Sequence, residues 1–167
     1  MHAVLREING YTYRLARHED LISIMEINLK TLPEHYSDYF YESILDEIPE
    51  AFVVSLYGDK YVGYIMCKTE YGFSCFRRLG FVKKGHVVSV AVLPEYRRQG
   101  IGRTLVEEAV KGIRSKQCVE MYLEVRCSNG AAVQLYESMG FMIKQQLRHY
   151  YRDGEDAFLM TIEFSKQ

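Results

Sequence analysis

Residues 87–105 read VVSVAVLPEYRRQGIGRTL. The β-branched run at the start predicts a strand that is covered on both faces. A short loop with two arginines and two glycines follows, and an amphipathic helix is predicted over Gly102–Lys116. Gly100 and Gly102 have no side chains to keep a ligand away from the main chain. The unpaired N–H groups and partial positive charge of a helix N-terminus then predict a socket for a phosphate or pyrophosphate.

Three arginines add positive charge at the rim of this predicted socket. Arg97, Arg98 and Arg103 are placed where charge-assisted hydrogen bonds to phosphate are strong. Two glycines at a helix start are a weak signal alone, and the loop is neither a GxxxxGK[ST] P-loop nor a GxGxxG fingerprint. The prediction therefore depends on the arginine pair and on the buried strand immediately before it.

Periodicity extends this unit to the rest of the chain and predicts the order βααβββαβαββ. The predicted strands are Tyr11–Leu15, Ala51–Leu56, Tyr61–Lys68, His86–Leu93, Val119–Val125, Phe141–Tyr150 and Ala157–Phe164. The predicted helices are Glu19–Lys30, Ser37–Ile48, Gly102–Lys116 and Asn129–Met139. Residues 69–84 show no period and are predicted as a loop. This order predicts an α/β (α+β) fold with a mixed sheet and helices on both of its faces.

Size and composition restrict the class of protein. The 167 residues predict a single domain over 1–167, and 48% apolar with 26% charged residues is typical of a globular chain. A net charge of −1 gives no basic field for nucleic acid. No apolar run reaches membrane length and no signal peptide is visible, so we expect a cytoplasmic protein that binds neither membrane nor nucleic acid. Four cysteines without a CxxC pair favour reduced thiols.

Two motifs resemble the GNAT acetyltransferase superfamily. Arg97-x-x-Gly100-x-Gly102 after a valine-rich strand is similar to its acetyl-CoA pyrophosphate loop. Residues 128–141, SNGAAVQLYESMGF, resemble its SNxxAxxLYxxxGF signature. The resemblance implies a GNAT fold: a central mixed, mostly antiparallel sheet of about seven strands, four flanking helices and a V-shaped splay between strands 4 and 5. It also implies acetyl-CoA as co-substrate, with no metal required.

Shorter stretches resemble one branch, the catalytic subunit of NatA-type N-terminal acetyltransferases. They are LPEHY at 32–36, GHV at 85–87, YLEVR at 122–126 and YYRDGEDA at 150–157. Archaeal single-chain versions are the most similar, and the bacterial ribosomal-protein alanine acetyltransferases are more distant. The resemblance implies acetyl transfer to the α-amino group of protein N-termini by direct attack in a ternary complex. The ribosome is one candidate partner, and the sequence leaves open whether an auxiliary subunit docks on the first two helices.

The resemblance also implies a cofactor site. Its residues would be Val90, Ala91, Val92, Arg97, Arg98, Gln99, Gly100, Ile101, Gly102, Arg103, Asn129 and Tyr136. The main chain of residues 90–92 would pair with the pantetheine arm, and one of its N–H groups would face the thioester carbonyl. Tyr136 would hydrogen-bond or protonate the leaving thiolate, with packing on the sheet as the alternative. Asn129 would reach the arm, although a helix cap explains it equally well.

Three residues are candidates for the base that the reaction needs. His86 opens the strand beside the cofactor, and an imidazole titrates near neutrality. Glu124 lies on the next predicted strand, where a half-buried carboxylate requires a partner or a task. The alternatives are a solvent-facing histidine and a salt bridge from Glu124 to an arginine. Glu34, in the Leu-Pro-Glu loop, is the third candidate and would orient the amine or relay its proton.

Tyrosines are predicted to form the walls of a peptide groove, because they combine a rigid apolar surface with a polar tip. The predicted substrate-binding residues are Leu32, Glu34, Tyr36, Tyr150 and Tyr151. The basic stretch 71–84 is interpreted as a solvated loop, with contact to an acidic partner such as the ribosome as the alternative.

Two other functions fit the same motifs. The acetyl acceptor would be a lysine side chain, a polyamine or another small amine in the first. In the second, the chain would be a regulatory module that binds the cofactor without turnover. Tyr136, His86 and Glu124 together argue against a module without catalysis.

Overall fold

The computed structural model describes residues 3–165, which fall into two compact units. The first unit contains residues 3–68 and 88–115, and the second contains residues 69–87 and 116–165. The single domain predicted over 1–167 stays a prediction.

Eight strands and four α-helices lie within the described residues. The strands are β1 (Val4–Ile8), β2 (Tyr11–Leu15), β3 (Phe52–Tyr57), β4 (Lys60–Phe73), β5 (Phe81–Val92), β6 (Glu120–Arg126), β7 (Met142–Leu147) and β8 (Ala157–Glu163). The helices are α1 (Leu21–Thr31), α2 (Asp38–Glu47), α3 (Ile101–Ser115) and α4 (Gly130–Ser138). The sheet has the strand order β1-β2-β3-β4-β5-β6-β8-β7. The predicted mixed α/β architecture with four helices is therefore confirmed.

Two details of the prediction are corrected. β1 is an additional strand that raises the count from about seven to eight. The loop predicted over 69–84 is wrong over most of its length, because β4 continues to Phe73 and β5 begins at Phe81. Main-chain pairing in a hairpin does not require an alternating apolar pattern, so side-chain periodicity did not reveal these extensions.

Tight turns join β1 to β2 and β3 to β4, both antiparallel pairs. Ile8 pairs with Tyr11 across Asn9 and Gly10, which have φ of +52° and +83°. This is the geometry that Asn-Gly favours in a two-residue hairpin. The second turn lies at residues 57–60, where Tyr57 pairs with Lys60.

Apolar side chains of α1 and α2 pack with those of β3, β4 and β5 to form the core of the first unit. Its almost fully buried members include Ile24, Tyr41, Phe52, Tyr64 and Met66. Complete burial of one such side chain contributes about 1.5–3 kcal/mol. This core holds β5, which carries the predicted cofactor residues.

Gly112 lets α3 approach the turn at residues 49–51 more closely than any other residue type would. A Cβ atom at this position would lie 2.0 Å from the carbonyl oxygen of Glu50. We expect Gly112→Ala to lower the free energy of unfolding by about 2 kcal/mol, because the helix must move away from the turn. Chemical denaturation measures this, with Gly130→Ala as control, since a Cβ there meets no atom within 4 Å. Equal stabilities of the two variants would contradict the steric argument.

The second unit is built on β6. Its parallel register with β5 joins Lys84–His86 to Glu120–Tyr122, and β8 pairs antiparallel with both β6 and β7. The V-shaped splay predicted between strands 4 and 5, which correspond to β5 and β6, stays a prediction. The buried Glu120 carboxylate accepts hydrogen bonds from the Ser74 hydroxyl and the Cys75 amide, and so ties the turn at 74–80 to β6.

The four cysteines are free thiols, as predicted. Cys67 in β4 is completely buried, and burial raises the pKa of its thiol. Cys118 is also buried, with its pKa raised for the same reason, whereas Cys75 and Cys127 are partly exposed. Between residues 3 and 165, no helix has the length and apolar character to cross a membrane.

Candidate active site

The loop between β5 and α3 has an unusual backbone. Arg98 and Gly100 have φ of +64° and +82°, and α3 begins at the next residue, Ile101. A left-handed conformation costs a non-glycine residue about 1–3 kcal/mol, and such strain is typical of ligand-binding segments. The backbone conformation of Arg98 is therefore higher in energy than that of a glycine at the same position would be.

The main chain at the start of α3 faces open space. The amide and hydroxyl of Thr104 bind the Gly100 carbonyl at 3.1 and 3.0 Å and close the first helical turn. Amides at the very start of a helix have no carbonyl partner within it. A Cβ atom built on Gly100 meets nothing within 4 Å. This arrangement has the features predicted for the phosphate socket.

The side chains of the loop differ in the contacts that they already make within the protein. Arg97 donates from Nε to the Val92 carbonyl at 2.9 Å, and Gln99 accepts from the Tyr11 hydroxyl at 2.6 Å. The side chain of Ile101 is buried in the core. We therefore expect Gln99 and Ile101 to contact a cofactor only through their main chains.

Gly102 and Arg103 lie in the first turn of α3 and are partly buried. The Arg103 guanidinium is 3.9 Å from the carboxylate of Glu107, one turn later. Arg98 is exposed, so its positive charge is at the surface of the loop as predicted.

The main-chain groups at the end of β5 point alternately toward β4 and away from it. The amide of Leu93 donates to the Val62 carbonyl of β4 at 2.9 Å. Because main-chain groups alternate sides along a strand, the amides of Val90 and Val92 point to the other edge. The Ala91 carbonyl points toward β4, where it lies 3.0 Å from the position of a Cβ on Gly63.

Two side chains donate hydrogen bonds to carbonyls on the edge of β5 that faces away from β4, which we call the outer edge. The Tyr36 hydroxyl donates to the Val88 carbonyl at 3.3 Å, and Arg97 occupies that of Val92. The main chain of Val90 lies between these two contacts.

Three predicted substrate-binding residues lie in the segment between α1 and α2, which belongs to the first unit. Leu32 and Tyr36 pack on the core, and Tyr36 stacks on Phe40 with ring centroids 4.8 Å apart. Glu34 is half-buried between them. The contact from Tyr36 to Val88 ties this segment to β5.

His86 and Glu124 form a close pair in the second unit. His86 Nε2 lies 2.7 Å from Glu124 Oε2, and each side chain is 15% exposed. The strand register explains the contact, since His86 pairs with Tyr122, two residues before Glu124 on the same face of β6. The two residues predicted as a pair are thus in contact: His86 does not face solvent, and Glu124 pairs with His86 rather than with an arginine. Their role in catalysis stays a prediction.

The contact also orients the imidazole ring. A carboxylate only accepts hydrogen bonds, so Nε2 must carry the proton that it donates. Nδ1 of His86 is buried and has no hydrogen-bond partner among residues 3–165. A neutral His86 therefore keeps its lone pair on Nδ1.

Tyr122 supports this ring and was not among the predicted site residues. Its ring stacks on His86 with centroids 4.3 Å apart and planes 11° from parallel. The Tyr122 hydroxyl donates to Glu70, and the Lys84 ammonium lies 5.1 Å from its ring centroid. The two-residue spacing between Tyr122 and Glu124 was a signal in the sequence that could have identified it.

α4 carries two predicted cofactor residues. The Asn129 side chain accepts from the Ala132 amide at 3.2 Å, which confirms the predicted cap. Tyr136 is 7% exposed and packs edge-to-face on Phe141, with centroids 5.9 Å apart. This packing agrees with the alternative that Tyr136 is a structural residue of the second unit. The role of its hydroxyl in catalysis stays a prediction.

Tyr150 and Tyr151 follow β7 and pack edge-to-face at 5.0 Å. Tyr150 is 48% exposed, as a wall of a peptide groove requires. The guanidinium of Arg126 lies 4.0 Å from the Tyr151 ring centroid, a contact that the sequence did not indicate. Hydrogen bonds from Ser128 and Arg126 hold the pKa of Glu155, in the same loop, below its usual value.

The described part of the chain contains no group of three or more histidine, cysteine or acidic side chains arranged to hold a metal ion.

The sequence profile of the acetyltransferase (GNAT) family matches residues 21–141, a span that contains the glycine loop, the His86–Glu124 pair and Tyr136. The chain belongs to this family. Its GNAT membership and fold were predicted from residues 97–102 and 128–141, and both predictions are confirmed.

Individual GNAT relatives point to one branch. The chain is 48% identical to an N-alpha-acetyltransferase of Saccharolobus solfataricus over 153 residues, covering 90% of this chain and 92% of the relative. It is 34% identical to human N-alpha-acetyltransferase 30 over 90% of its own length and 41% of that protein. A chain of the NatC complex bound to Gag peptide and CoA superposes with a TM-score of 0.83 at 28% identity, covering 93% and 99% of the two chains. The predicted likeness to archaeal N-terminal acetyltransferases is confirmed.

Proposed function

We propose that this GNAT chain transfers the acetyl group of acetyl-CoA to the α-amino group of protein N-termini, by direct attack in a ternary complex. The observation that carries the proposal is the contact of 2.7 Å between His86 on β5 and Glu124 on β6, since β5 leads into the glycine loop. The archaeal relative is named an N-alpha-acetyltransferase, and the NatC structure contains both a peptide and CoA. These findings support the same reaction for this chain.

His86 is the base in this proposal. An α-amine is protonated in much of its population near neutral pH and must lose a proton to attack a thioester. Nδ1 of His86 holds the unpaired lone pair, and Nε2 donates to Glu124. As Nδ1 accepts the proton, the Glu124 carboxylate stabilises the imidazolium that forms. Glu124 thus acts through His86, and Glu34 orients the amine.

The loop at residues 97–103 binds the cofactor pyrophosphate. Amides at the start of α3 point their N–H groups toward the anion, and the helix dipole favours negative charge there. Arg97, Arg98 and Arg103 add the charge-assisted contacts. No metal is needed to neutralise the diphosphate in this arrangement.

The outer edge of β5 places the acetyl group. Val90 and Val92 direct their amides away from β4, and Tyr36 and Arg97 occupy the carbonyls on either side of Val90. The pantetheine arm pairs with this edge, with Asn129 as a further contact. An amide of the edge faces the thioester oxygen and stabilises the negative charge that develops there.

Tyr136 assists the departure of the thiolate. We expect Tyr136→Phe to lower kcat by about tenfold to a hundredfold, because a hydrogen bond to a charged leaving group is lost. The dissociation constant of acetyl-CoA should change by less than about threefold, since the ring that packs on Phe141 is retained. Steady-state kinetics and calorimetry measure both quantities. Tyr39→Phe, at a residue 83% exposed on α2, is the control, and an equal effect of both variants would contradict the role.

Peptide recognition is assigned to two groups of residues. Leu32, Glu34 and Tyr36 lie in the segment between α1 and α2, and Tyr150 and Tyr151 lie in the loop between β7 and β8. Exposed tyrosine edges bind the main chain of the first substrate residues.

A panel of acceptors tests the proposed function. The full chain is incubated with acetyl-CoA and peptides beginning with Ser, Ala, Met or Glu, beside free lysine and a polyamine, and CoA release is followed. We expect at least one peptide to be acetylated at its α-amino group, located by mass spectrometry. Turnover of the small amines alone would overturn the peptide assignment. Binding of acetyl-CoA without any transfer would overturn the enzymatic one.

The remaining assignments stay predictions. They are a cytoplasmic location, docking to the ribosome or to an auxiliary subunit, and contact of the basic stretch 71–84 with an acidic partner. Crystals of the similar NatC chain contain it within a complex, which supports a test for an auxiliary subunit.

A further inference from the structure

One face of β6 carries a row of polar side chains at two-residue spacing. Tyr122, Glu124 and Arg126 are each half-buried, whereas Leu123 and Val125 between them are buried. The first two members of the row contact His86. The third, Arg126, turns to the loop between β7 and β8, which carries Tyr150 and Tyr151.

Arg126 contacts this loop at three points. Its Nη1 atom donates to Asp153 Oδ2 at 2.8 Å and to Glu155 Oε1 at 2.9 Å. Its guanidinium lies 4.0 Å from the ring centroid of Tyr151. Arginine suits such a site because one planar group can stack on a ring and bind carboxylates at its edge.

Further hydrogen bonds hold the loop, including one from the Cys127 amide to the Asp156 carbonyl at 3.1 Å. The Tyr151 amide donates to the Glu155 carbonyl at 3.1 Å, and the Gly154 amide donates to the Tyr151 carbonyl at 2.9 Å. The second carboxylate oxygen of Glu155 accepts from the Ser128 amide at 2.9 Å. Glu155 therefore links Arg126 to the main chain just before α4.

We propose that Arg126 is a positioning residue that fixes the Tyr150–Tyr151 pair for the first residues of the acceptor peptide. Tyr151 rests on the guanidinium, and Tyr150 packs edge-to-face on Tyr151 with half of its surface exposed. Arg126 thus acts on Tyr150, a ring that it does not touch, through its contact with Tyr151. The inference rests on the proposed function, because it concerns the peptide of that reaction.

The strand geometry couples the peptide loop to the base. Glu124 and Arg126 are two residues apart on one face of a regular strand, so their separation is fixed by the main chain. A peptide that is held by Tyr150 and Tyr151 is therefore placed with reference to the strand that orients His86. Misplacement of a substrate by about 1 Å is enough to reduce a rate by a large factor.

Arg126→Ala tests the proposal in the full chain. We expect the KM for the best acceptor peptide to rise about tenfold, because the tyrosine pair is no longer held in place. The dissociation constant of acetyl-CoA should stay within about twofold of the wild-type value. Arg126→Lys keeps the charge but not the planar group, and we expect it to restore only part of the lost peptide affinity.

Hydrogen–deuterium exchange gives a readout that does not depend on activity. Amides of residues 148–156 should exchange faster in Arg126→Ala, whereas those of α3 should not change. Arg148→Ala removes an exposed arginine next to the same loop and serves as the control, with the wild-type KM expected. Global destabilisation would accelerate exchange in every element and would overturn the positioning role.

The outcomes separate this inference from the function on which it rests. A wild-type chain that acetylates no peptide overturns the proposed function. An active wild type whose peptide KM and loop exchange are unaffected by Arg126→Ala overturns the inference alone. Equal losses in acetyl-CoA affinity and peptide affinity would also overturn it, because a positioning residue of the peptide loop should act on the peptide.

Discussion

Gly100→Val is expected to weaken the binding of acetyl-CoA by about a hundredfold or more. The open space at Gly100, where a Cβ meets no atom within 4 Å, is where the pyrophosphate is proposed to lie. A valine side chain there would keep the anion from the amides at the start of α3. Loss of two charge-assisted hydrogen bonds of about 1.5 kcal/mol each corresponds to this factor. Calorimetric titration with acetyl-CoA measures it.

Backbone strain requires its own control, because Gly100 has a φ of +82°. Gly58 in the turn between β3 and β4 has a φ of +60° and also faces open space. Gly58→Val therefore introduces the same side chain into a similar backbone outside the loop. We expect the two variants to lose similar stability in thermal unfolding and only Gly100→Val to lose affinity. Wild-type affinity in Gly100→Val would remove the basis for the phosphate socket.

His86→Ala is expected to lower kcat by about a hundredfold to a thousandfold, which lies within the acceleration that a positioned base provides. KM for the peptide and for acetyl-CoA should change by less than about threefold, because the imidazole acts on the proton of the amine. Added imidazole should restore part of the rate by occupying the vacated space beside Tyr122. Steady-state kinetics with and without imidazole measure both effects.

Two further variants define the role of the carboxylate. Glu124→Gln keeps a hydrogen-bond acceptor for Nε2 but loses the charge that stabilises the imidazolium, so we expect a smaller loss, about tenfold. His18→Ala is the matched control, since His18 pairs with Asp46 at 2.9 Å with both side chains more than 60% exposed. A loss in His18→Ala equal to that in His86→Ala would contradict a specific role for His86.

Local motifs predicted the parts of the site that depend on the main chain. The strand, glycine loop and helix over residues 87–105 are contiguous, so periodicity and turn chemistry were sufficient to place them. The contact of His86 with Glu124 followed from the expectation that two strands are neighbours. The spacing along β6 could have indicated Tyr122, but the contacts that give Tyr122 and Arg126 their roles are with residues distant in the chain, which local patterns do not reveal.

The sequence contains a turn signal next to β1, although this strand was not predicted. Asn9-Gly10 favours a hairpin with φ above zero at both positions, and the structure has this turn. Four of the five residues of β1 are exposed, so no apolar alternation accompanied the turn. The extensions of β4 and β5 were missed for a related reason, because aromatic and basic residues occur there without a two-residue period.

The complete burial of Cys67 has a consequence for measuring the opening of the molecule. A thiol that is enclosed and held protonated does not react with an alkylating reagent until β4 leaves the sheet. Modification at Cys75 and Cys127 needs no such opening, since both are partly exposed. The labelling rate of Cys67, relative to these two thiols, therefore reports how often the centre of the first unit unfolds under native conditions.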